Sequence, residues 1–501
     1  MHSKITWGIS ANSHDAALAV FNNDGLEFAS HSERFSGVKN DAHLNTALID
    51  YAKQWGEPDE IIWYERPFKK TLRQLWAGQG WRYNENNIKS YLKSYKLDAP
   101  IKCVDHHLSH AAAGYYTSNF RDATVICIDS IGEFETFTVW EAKDTELKRV
   151  YTQGYPHSIG LWYSAMTQRI GLKPNEDEYI LMGMAAYGDP NRLYNDIKEH
   201  FVVEGWDLIS TVATRFYIEE PATLFWENLH RGCQRWRPDL DTEQDMFDIA
   251  AATQKLYEDM FRKALIWMQR NVDSKNLVLM GGCALNCSAN SIAYDYFDRV
   301  WIMPNPGDAG SAVGAVLAHK KQHMKMDHAF LGYDIKGEYP VLQTVKELAE
   351  TGICGVANGK AEFGPRAFGN RSLLADPRGH DIKDRVNRIK RRQEFRPFAP
   401  VILEEYASDN FEGYYNNYMQ YTSTCKHPDL YPAICHADGT SRVQTVAPDG
   451  SGIRRLLEAW HRKTGCPMLL NTSLNIKGKP IVNDLTDAQE FATMYGVKVF
   501  T

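Results

Sequence analysis

Three histidines fall within the stretch DHHLSHAAAGYY, at positions 106, 107 and 110, next to Asp105. His106 and His110 are four residues apart and share one helix face, so the pair can hold a metal or simply pack. Far along the chain, Asp308 sits on a glycine-flanked loop in VWIMPNPGDAGSAVGAVLAH. Gly281 and Gly282 end an apolar run in KNLVLMGGCALNCSAN. Glycines at such a place let the backbone approach a phosphate or nucleoside, with the amino end of a following helix supplying N–H groups. A third chemistry-bearing stretch is DRVNRIKRRQEFRPFAPVIL, which carries Arg385, Arg388, Lys390, Arg391, Arg392 and Arg396. Guanidinium groups bind phosphate bidentately, so these cations suit a phosphorylated substrate; a solvated helix face is the plainer alternative.

The elements that must position these residues form a repeating pattern. ITWGISANSHDAALAVFNNDGLEFASHSERF reads as strand, polar loop, strand, Asp-Gly turn and strand, since glycine tolerates the positive φ of a tight hairpin. The same layout returns in ATVICIDSIGEFETFTVWEAKDTELKRVYTQ, where Asp129 lies in the acidic loop after the first strand. The hairpins at 5–34 and 124–153 therefore predict two similar α/β lobes whose loops, with Asp15 and Asp129, face one ligand space. Residues 243–272 place Met246, Ile249, Ala250, Thr253, Leu256, Met260, Ala264 and Leu265 at helical spacing, which predicts a core-facing helix. The DIKGEYP stretch reads as a linker, and VLQTVKELAETGICGVANG starts a new helix–strand unit beyond it.

The bulk properties narrow the function. At 501 residues the chain is too long for one core, and its 44% hydrophobic and 24% charged content is that of a folded globular protein. A net charge of -7 argues against broad nucleic-acid binding, which rests on neutralising phosphates with Lys and Arg. The nine cysteines form no C-x-x-C pair, so a zinc ribbon is not expected. The amino terminus has no apolar signal core, and no apolar run approaches the ~18 residues of a membrane span. A reducing, cytoplasmic setting is the default.

Taken together, SHDAALAVF, SERFSGVKND, DHHLSHAAAGYYTS, EYILMGMAAYGDP, MGGCALNCSAN, NPGDAGSAVGA, EFGPRAFGNRSLLADPR, FRPFAPVILEE, DGTSRVQTV and LLNTSLNIKGKPIV span almost the whole chain. In this order they resemble the O-carbamoyltransferases of the nodulation-protein and antibiotic-tailoring type. The resemblance implies an α/β protein with a duplicated, actin-like transfer domain over residues 1–337. That domain would be like the tRNA threonylcarbamoyl transferase (Kae1-like). A second domain over 338–501 would be like its partner synthetase (YrdC-like). The implied reaction joins ATP, with magnesium, and carbamoyl phosphate into carbamoyl-adenylate, then passes the carbamoyl group to a hydroxyl of a small-molecule acceptor.

Site residues follow from the same resemblance. His106, His110 and Asp308 would ligate iron or a similar divalent metal, with His107 pointing elsewhere. Asp129, Gly281, Gly282 and Asn286 would hold the ATP-derived intermediate. His14 and Asp15 would act with Asp308 in catalysis, His14 and Asp15 as the base toward the acceptor, with Lys39 and Asp41 beside it. In the second domain, Lys390 and Arg392 followed by Ser473 and Asn475 match the synthetase pattern, and Arg366, Arg371 and Arg442 would join that phosphate pocket. Ser130 replaces a glycine common in the family, Ala186 a proline, and the chain ends earlier than many members, which puts the closing helix and strand in question.

Three other readings compete. A tRNA-modifying transferase fits the metal motif but not the acidic charge. A hydrogenase-maturation carbamoyltransferase would carry zinc-binding C-x-x-C pairs. A non-catalytic nucleotide-binding protein of the same fold would have lost Lys390, Arg392, His106 or Asp308, all present. Residues 190–242 match no usable motif; their aromatic side chains suit either an acceptor ring or a core. An oligomer is compatible with the sequence.

Overall fold

The computed structural model describes residues 4–203, 211–212, 233–393, 395–396 and 398–501. Most of the aromatic-rich stretch 216–240, where acceptor contacts were sought, lies outside them. The chain divides into two compact units. One holds residues up to Glu27 together with Ala42–Met326; the other holds Phe28–Asp41 and Asp327–Thr501.

In the first unit, β1 (Thr6–Ser10) and β2 (Ala17–Phe21) are buried at every position, as strands covered on both faces must be. They pair antiparallel, Thr6 opposite Phe21. The turn into β3 (Leu26–His31) is set by Asn22, whose Oδ1 accepts the N–H groups of Asp24 and Gly25. Two parallel strands, β4 (Glu60–Trp63) and β5 (Ile101–Cys103), extend the other side of β1. The order is β3-β2-β1-β4-β5.

The second sheet repeats that plan. β6 (Asp122–Ile128), β7 (Glu135–Lys143) and β8 (Glu146–Gly154) form an antiparallel meander. After a two-residue ladder of β9 (Val202–Val203) with β10 (Thr211–Val212), β11 (Asn276–Met280) and β12 (Arg299–Trp301) add in parallel beside β6. The order β12-β11-β6-β7-β8 is the first sheet's order again, three meander strands followed by two parallel ones. The expected duplication is therefore a duplication of topology.

Helices tie the sheets together. The predicted stripe at 243–272 is one helix, Glu243–Asn271, started by a capping box in which Thr242 and Asp245 exchange hydrogen bonds. Ile249, Ala250, Thr253, Leu256, Met260, Ala264 and Leu265 are buried along it. Helix Ser311–Lys320, rich in small residues, packs closely on helix His106–Tyr115. Among the described residues no helix is long and apolar enough to cross a membrane.

The second unit is also mixed α/β. After β13 (Phe330–Ile335), helix Val341–Thr351 ends at Gly352 (φ +79°) and leads into β14 (Ile353–Ala357). β15 (Gly359–Glu362), β16 (Arg371–Ala375) and β17 (Ala399–Leu403) follow. Three short strands, β18 (Phe411–Gly413), β19 (Ser423–Cys425) and β20 (Thr440–Ser441), form a small sheet. With β21 (Gln444–Val446), β22 (Met468–Ser473) and β23 (Val499–Phe500), the main sheet has the order β21-β17-β22-β16-β14-β23. Its core gathers Leu373, Val401, Leu456, Trp460 and Leu469. Helix Leu485–Tyr495 leads into β23, which pairs parallel with β14.

The division between units differs from the expected one at 337/338. Residues 327–337 belong to the second unit because β13 pairs with β15, Phe330 opposite Glu362. The segment 28–41 joins it too. Arg34 donates to the Gly364 carbonyl (2.8 Å), and the His31 and Phe35 rings pack edge-on against Phe363 and Tyr333.

Candidate metal centre

Helix His106–Tyr115 begins where Asp105, bound by Lys69 Nζ at 2.6 Å and Arg66 Nε at 3.0 Å, fixes the chain entering it. The four-residue spacing turns both His106 and His110 inward, and their Nε2 atoms lie 3.1 Å apart. Asp129, at the end of β6, brings Oδ2 to 3.2 Å from His106 Nε2 and 3.3 Å from His110 Nε2. Asp308, in the turn before helix Ser311–Lys320, brings Oδ1 to 3.4 and 3.3 Å from the same two nitrogens. One ligand atom from each of the four residues lies within 4.8 Å of the others, and all four side chains are buried.

The electrostatics of this cluster require a counterweight. Burial and the Asp308 charge push the Asp129 carboxyl up, but the imidazoles of His106 and His110 outweigh them and hold it low. Asp308 is also held well below the carboxylate range, against its burial, chiefly by His106. Burial works against a charge on His106, yet Asp308 and Asp129 raise its pKa well above the ordinary value. Two carboxylates and two imidazoles converging on one buried point form a donor set suited to a divalent cation. His110 Nδ1 lies 3.3 Å from Ser311 Oγ, so its outer nitrogen has a partner and its inner one is free for a metal.

Asp129 is the main departure from the sequence expectation. Expected at the nucleotide, it lies with His106, His110 and Asp308 in one group of four side chains that could hold a metal ion. His107 points away, its Nδ1 2.9 Å from Thr138 Oγ1. His14 Nδ1 lies 3.0 Å from Asp15 Oδ2 and His14 Nε2 3.9 Å from Asp308 Oδ2. The loop of the first sheet thus meets the cluster at the end of the second sheet's first strand. Burial lowers the His14 pKa, but the Asp15 hydrogen bond and the charges of Asp308, Asp15 and Asp129 raise it to about 10. The His14 side chain is still 45% exposed, leaving it open toward an incoming group.

Gly281, Gly282 and Asn286 have local explanations. A Cβ on Gly281 would fall 2.2 Å from the Ile128 carbonyl, and its φ is +91°, so glycine is needed for strand packing. A Cβ on Gly282 would reach 3.2 Å from Asp129 Oδ1. No long helix follows the pair; the chain makes a short turn, Gly282–Leu285, and a four-residue helix, Cys287–Asn290, so the expected helix amino end is not built. Asn286 exchanges two hydrogen bonds with Gln254 (3.1 and 2.9 Å), which also accepts from Tyr163, so its amide braces the long helix. Lys39 and Asp41 belong to the segment that groups with the second unit.

In the second unit, Lys390, Ser473 and Asn475, which the resemblance groups in one pocket, lie in hydrogen-bond contact. Lys390 Nζ donates to the Ser473 carbonyl at 2.6 Å and to Asn475 Oδ1, and Ser473 Oγ donates to Asn475 Oδ1 at 2.8 Å. Burial, with the charges of Arg392 and Arg396, lowers the Lys390 pKa well below its usual value. Arg392 stacks over the Phe398 ring at 3.7 Å and donates to Asn387. Arg442 has a buried Nε without a hydrogen-bond partner, and Arg366 is half-buried in the loop before β16.

Arg371 is corrected. Its three side-chain nitrogens donate to the carbonyls of Asn358, Gly359, Asn370, Tyr333 and Asn483 at 2.9–3.2 Å, leaving nothing for a phosphate. It is an internal strut, and burial lowers its pKa to about 10.

Sequence reasoning also passed over Glu133, in the acidic loop between β6 and β7. Its side chain is 0% exposed. Burial pushes its carboxyl up to about 7, against the Arg66 N–H and the nearby His106 charge. The only signal was its place in an acidic loop, which alone does not distinguish a buried carboxylate.

Comparison with known proteins identifies the family. Residues 63–317 match the carbamoyltransferase N-terminus family and residues 345–501 the carbamoyltransferase C-terminus family. Nodulation protein U of Rhizobium tropici is 34% identical, over 95% of this chain and 92% of that protein. An uncharacterized protein of Synechocystis, sll1178, is 31% identical over 96% and 93%. The 3'-hydroxymethylcephem-O-carbamoyltransferase of Amycolatopsis lactamdurans is 25% identical over 97% and 95%. With both halves of the family present in order, this chain belongs to the carbamoyltransferase family and is an enzyme.

Proposed function

We propose that this enzyme is an ATP-dependent O-carbamoyltransferase whose first unit transfers the carbamoyl group and whose second unit activates it. The observation that carries the reading is the convergence of His106, His110, Asp129 and Asp308 on one buried point. These four residues would hold a divalent ion, iron being our choice; when bound, it supplies Lewis-acid polarisation of a carbonyl oxygen.

The chain's own residues supply the rest. Attack on a carbamoyl carbon by a neutral alcohol needs proton removal; His14, held by Asp15, would take that proton in its neutral form, once a cation at the cluster offsets the Asp308 and Asp129 charges that raise its pKa. Asp308 serves both as cluster ligand and as the carboxylate that His14 faces. In the second unit, which we read as YrdC-like, Lys390 and Arg392 would bind the phosphate groups of carbamoyl phosphate and ATP, with Ser473 and Asn475 exchanging their present lysine contact for substrate or magnesium. There water would split carbamoyl phosphate into phosphate and carbamate, and a carbamate oxygen would attack the α-phosphorus of ATP, forming carbamoyl-adenylate and releasing pyrophosphate.

The name of one relative, the 3'-hydroxymethylcephem-O-carbamoyltransferase, supports a hydroxyl-bearing small-molecule acceptor. A cytoplasmic setting remains part of this reading. Incubation with ATP, carbamoyl phosphate and a library of hydroxyl-bearing metabolites, followed by mass spectrometry, tests it. A carbamoyl mass gain that requires both co-substrates supports the reading; a gain without ATP, or on thiols alone, contradicts it.

A further inference from the structure

Glu133 and His106 each carry a buried polar atom with nothing to bond. Glu133 Oε1 accepts the Arg66 backbone N–H, and the Glu133 carbonyl accepts from Arg73 Nε at 3.2 Å. Its second oxygen, Oε2, has no hydrogen-bond partner. Lys69 Nζ is 3.9 Å from it and is committed to Asp105 at 2.6 Å. His106 Nδ1 is likewise buried without a partner, whereas the outer nitrogen of His110 has Ser311.

Elementary histidine chemistry links the two orphans. A ring whose Nε2 offers its lone pair to a cation keeps its proton on Nδ1, and that N–H needs an acceptor when buried. Metal-bound imidazoles regularly find one in a carboxylate, which fixes ring orientation and strengthens the ligand. The backbone beside Glu133 is pressed against the Cδ2 edges of this ring and of the His107 ring. A Cβ on Gly132 would lie 2.8 Å from His106 Cδ2 and 3.1 Å from His107 Cδ2, so only glycine lets the loop come so near.

We propose that Glu133 is a positioning residue for the metal centre, its free oxygen accepting the Nδ1–H of His106 when Nε2 of that ring holds the cation. This rests on the metal reading of the cluster. It accounts for a carboxylate buried in a loop with one oxygen unused; His107 Nε2 is also buried without a partner, but only His106 has its other ring nitrogen in the four-residue cluster. The rival account is that Glu133 only anchors Arg66 and Arg73.

Metal-free protein titrated with Co(II), followed by visible absorption and by thermal melting, separates these accounts. Removing such an outer partner weakens metal binding by about ten- to a hundred-fold. E133A should lose affinity on that scale and shift the Co(II) spectrum, while E133Q, which keeps an acceptor oxygen but no charge, should weaken binding only a few-fold. D308A is the reference that abolishes binding. E133A with wild-type affinity and spectrum overturns the proposal, as does E133Q as weak as E133A with both melting like wild type. If E133A does not fold, an E133Q protein unchanged in affinity and spectrum overturns it. Failure of the wild type itself to bind Co(II) would instead overturn the metal reading, and this one with it.

Discussion

The Nε2 atoms of His106 and His110 lie 3.1 Å apart, and each is within 3.4 Å of one oxygen of Asp129 and one of Asp308. The two histidines come from a single helix turn. The two carboxylates come from the end of β6 and from a turn about 180 residues later. Such a convergence depends on the repeated sheet, which brings the loops at strand ends to one place.

Asp129 belongs to the metal centre in this account and not to a nucleotide contact. Asp129→Ala should therefore reduce bound metal as strongly as His110→Ala, with folding retained. Elemental analysis of the purified variants checks this. Full metal occupancy in Asp129→Ala would return the residue to the substrate.

Arg371 makes a contrary prediction, because it is a strut. Arg371→Ala removes a donor shared by five backbone carbonyls, of which Asn370 keeps the Asn358 N–H, and at roughly 1–3 kcal/mol for each buried group left unsatisfied the loss should exceed ~3 kcal/mol. Arg371→Lys should not restore it, since one ammonium cannot span the same carbonyls. Urea unfolding measures the effect. Unchanged stability with lost ATP-dependent activity would favour the phosphate role.

Away from the site, Glu60 offers a pH test. Burial would raise its carboxyl, but Lys4 at 2.8 Å and Lys102 at 3.1 Å lower it from 4.5 to about 2. A depressed folded-state pKa stabilises fully above the unfolded value and loses that stabilisation as pH falls from about 4.5 toward 2. The fall in melting temperature over that window should be shallower in Glu60→Gln than in the wild type. Parallel slopes would mean the ion pairs do not couple to folding.

The half-reactions should separate by unit. Loss of a charge-assisted contact costs ~1.5–3 kcal/mol, or roughly ten- to a hundred-fold in rate. Lys390→Ala should depress pyrophosphate release from ATP and carbamoyl phosphate while still transferring carbamoyl from added carbamoyl-adenylate. Asp308→Ala should do the reverse. Equal loss of both activities in each variant would mean the chemistry is divided wrongly.

Much of this was legible in the sequence because local rules governed it. The Asp24-Gly25 turn, the helix Glu243–Asn271 and the glycine-flanked Asp308 turn each follow from spacing and turn chemistry. The meeting of Lys390 with Ser473 and Asn475 followed from a motif resemblance. What escaped depended on tertiary geometry. Whether Asp129 faces a nucleotide or a histidine depends on where β6 ends beside a helix contributed by another segment. Arg371 looked like a phosphate ligand because charge alone does not reveal that five carbonyls surround it. The unit boundary moved because β13 pairs with a strand on the far side of a helix, which composition at DIKGEYP does not signal.

The most direct test of the central claim is the metal content of the wild-type protein and of His110→Ala, measured with circular dichroism on the same samples. The account predicts about one divalent ion per wild-type chain, since two imidazoles and two carboxylates form a single site. It predicts loss of that ion in His110→Ala with the fold retained. A wild-type chain that takes up no divalent metal, or a His110→Ala variant that keeps its full complement, would contradict it.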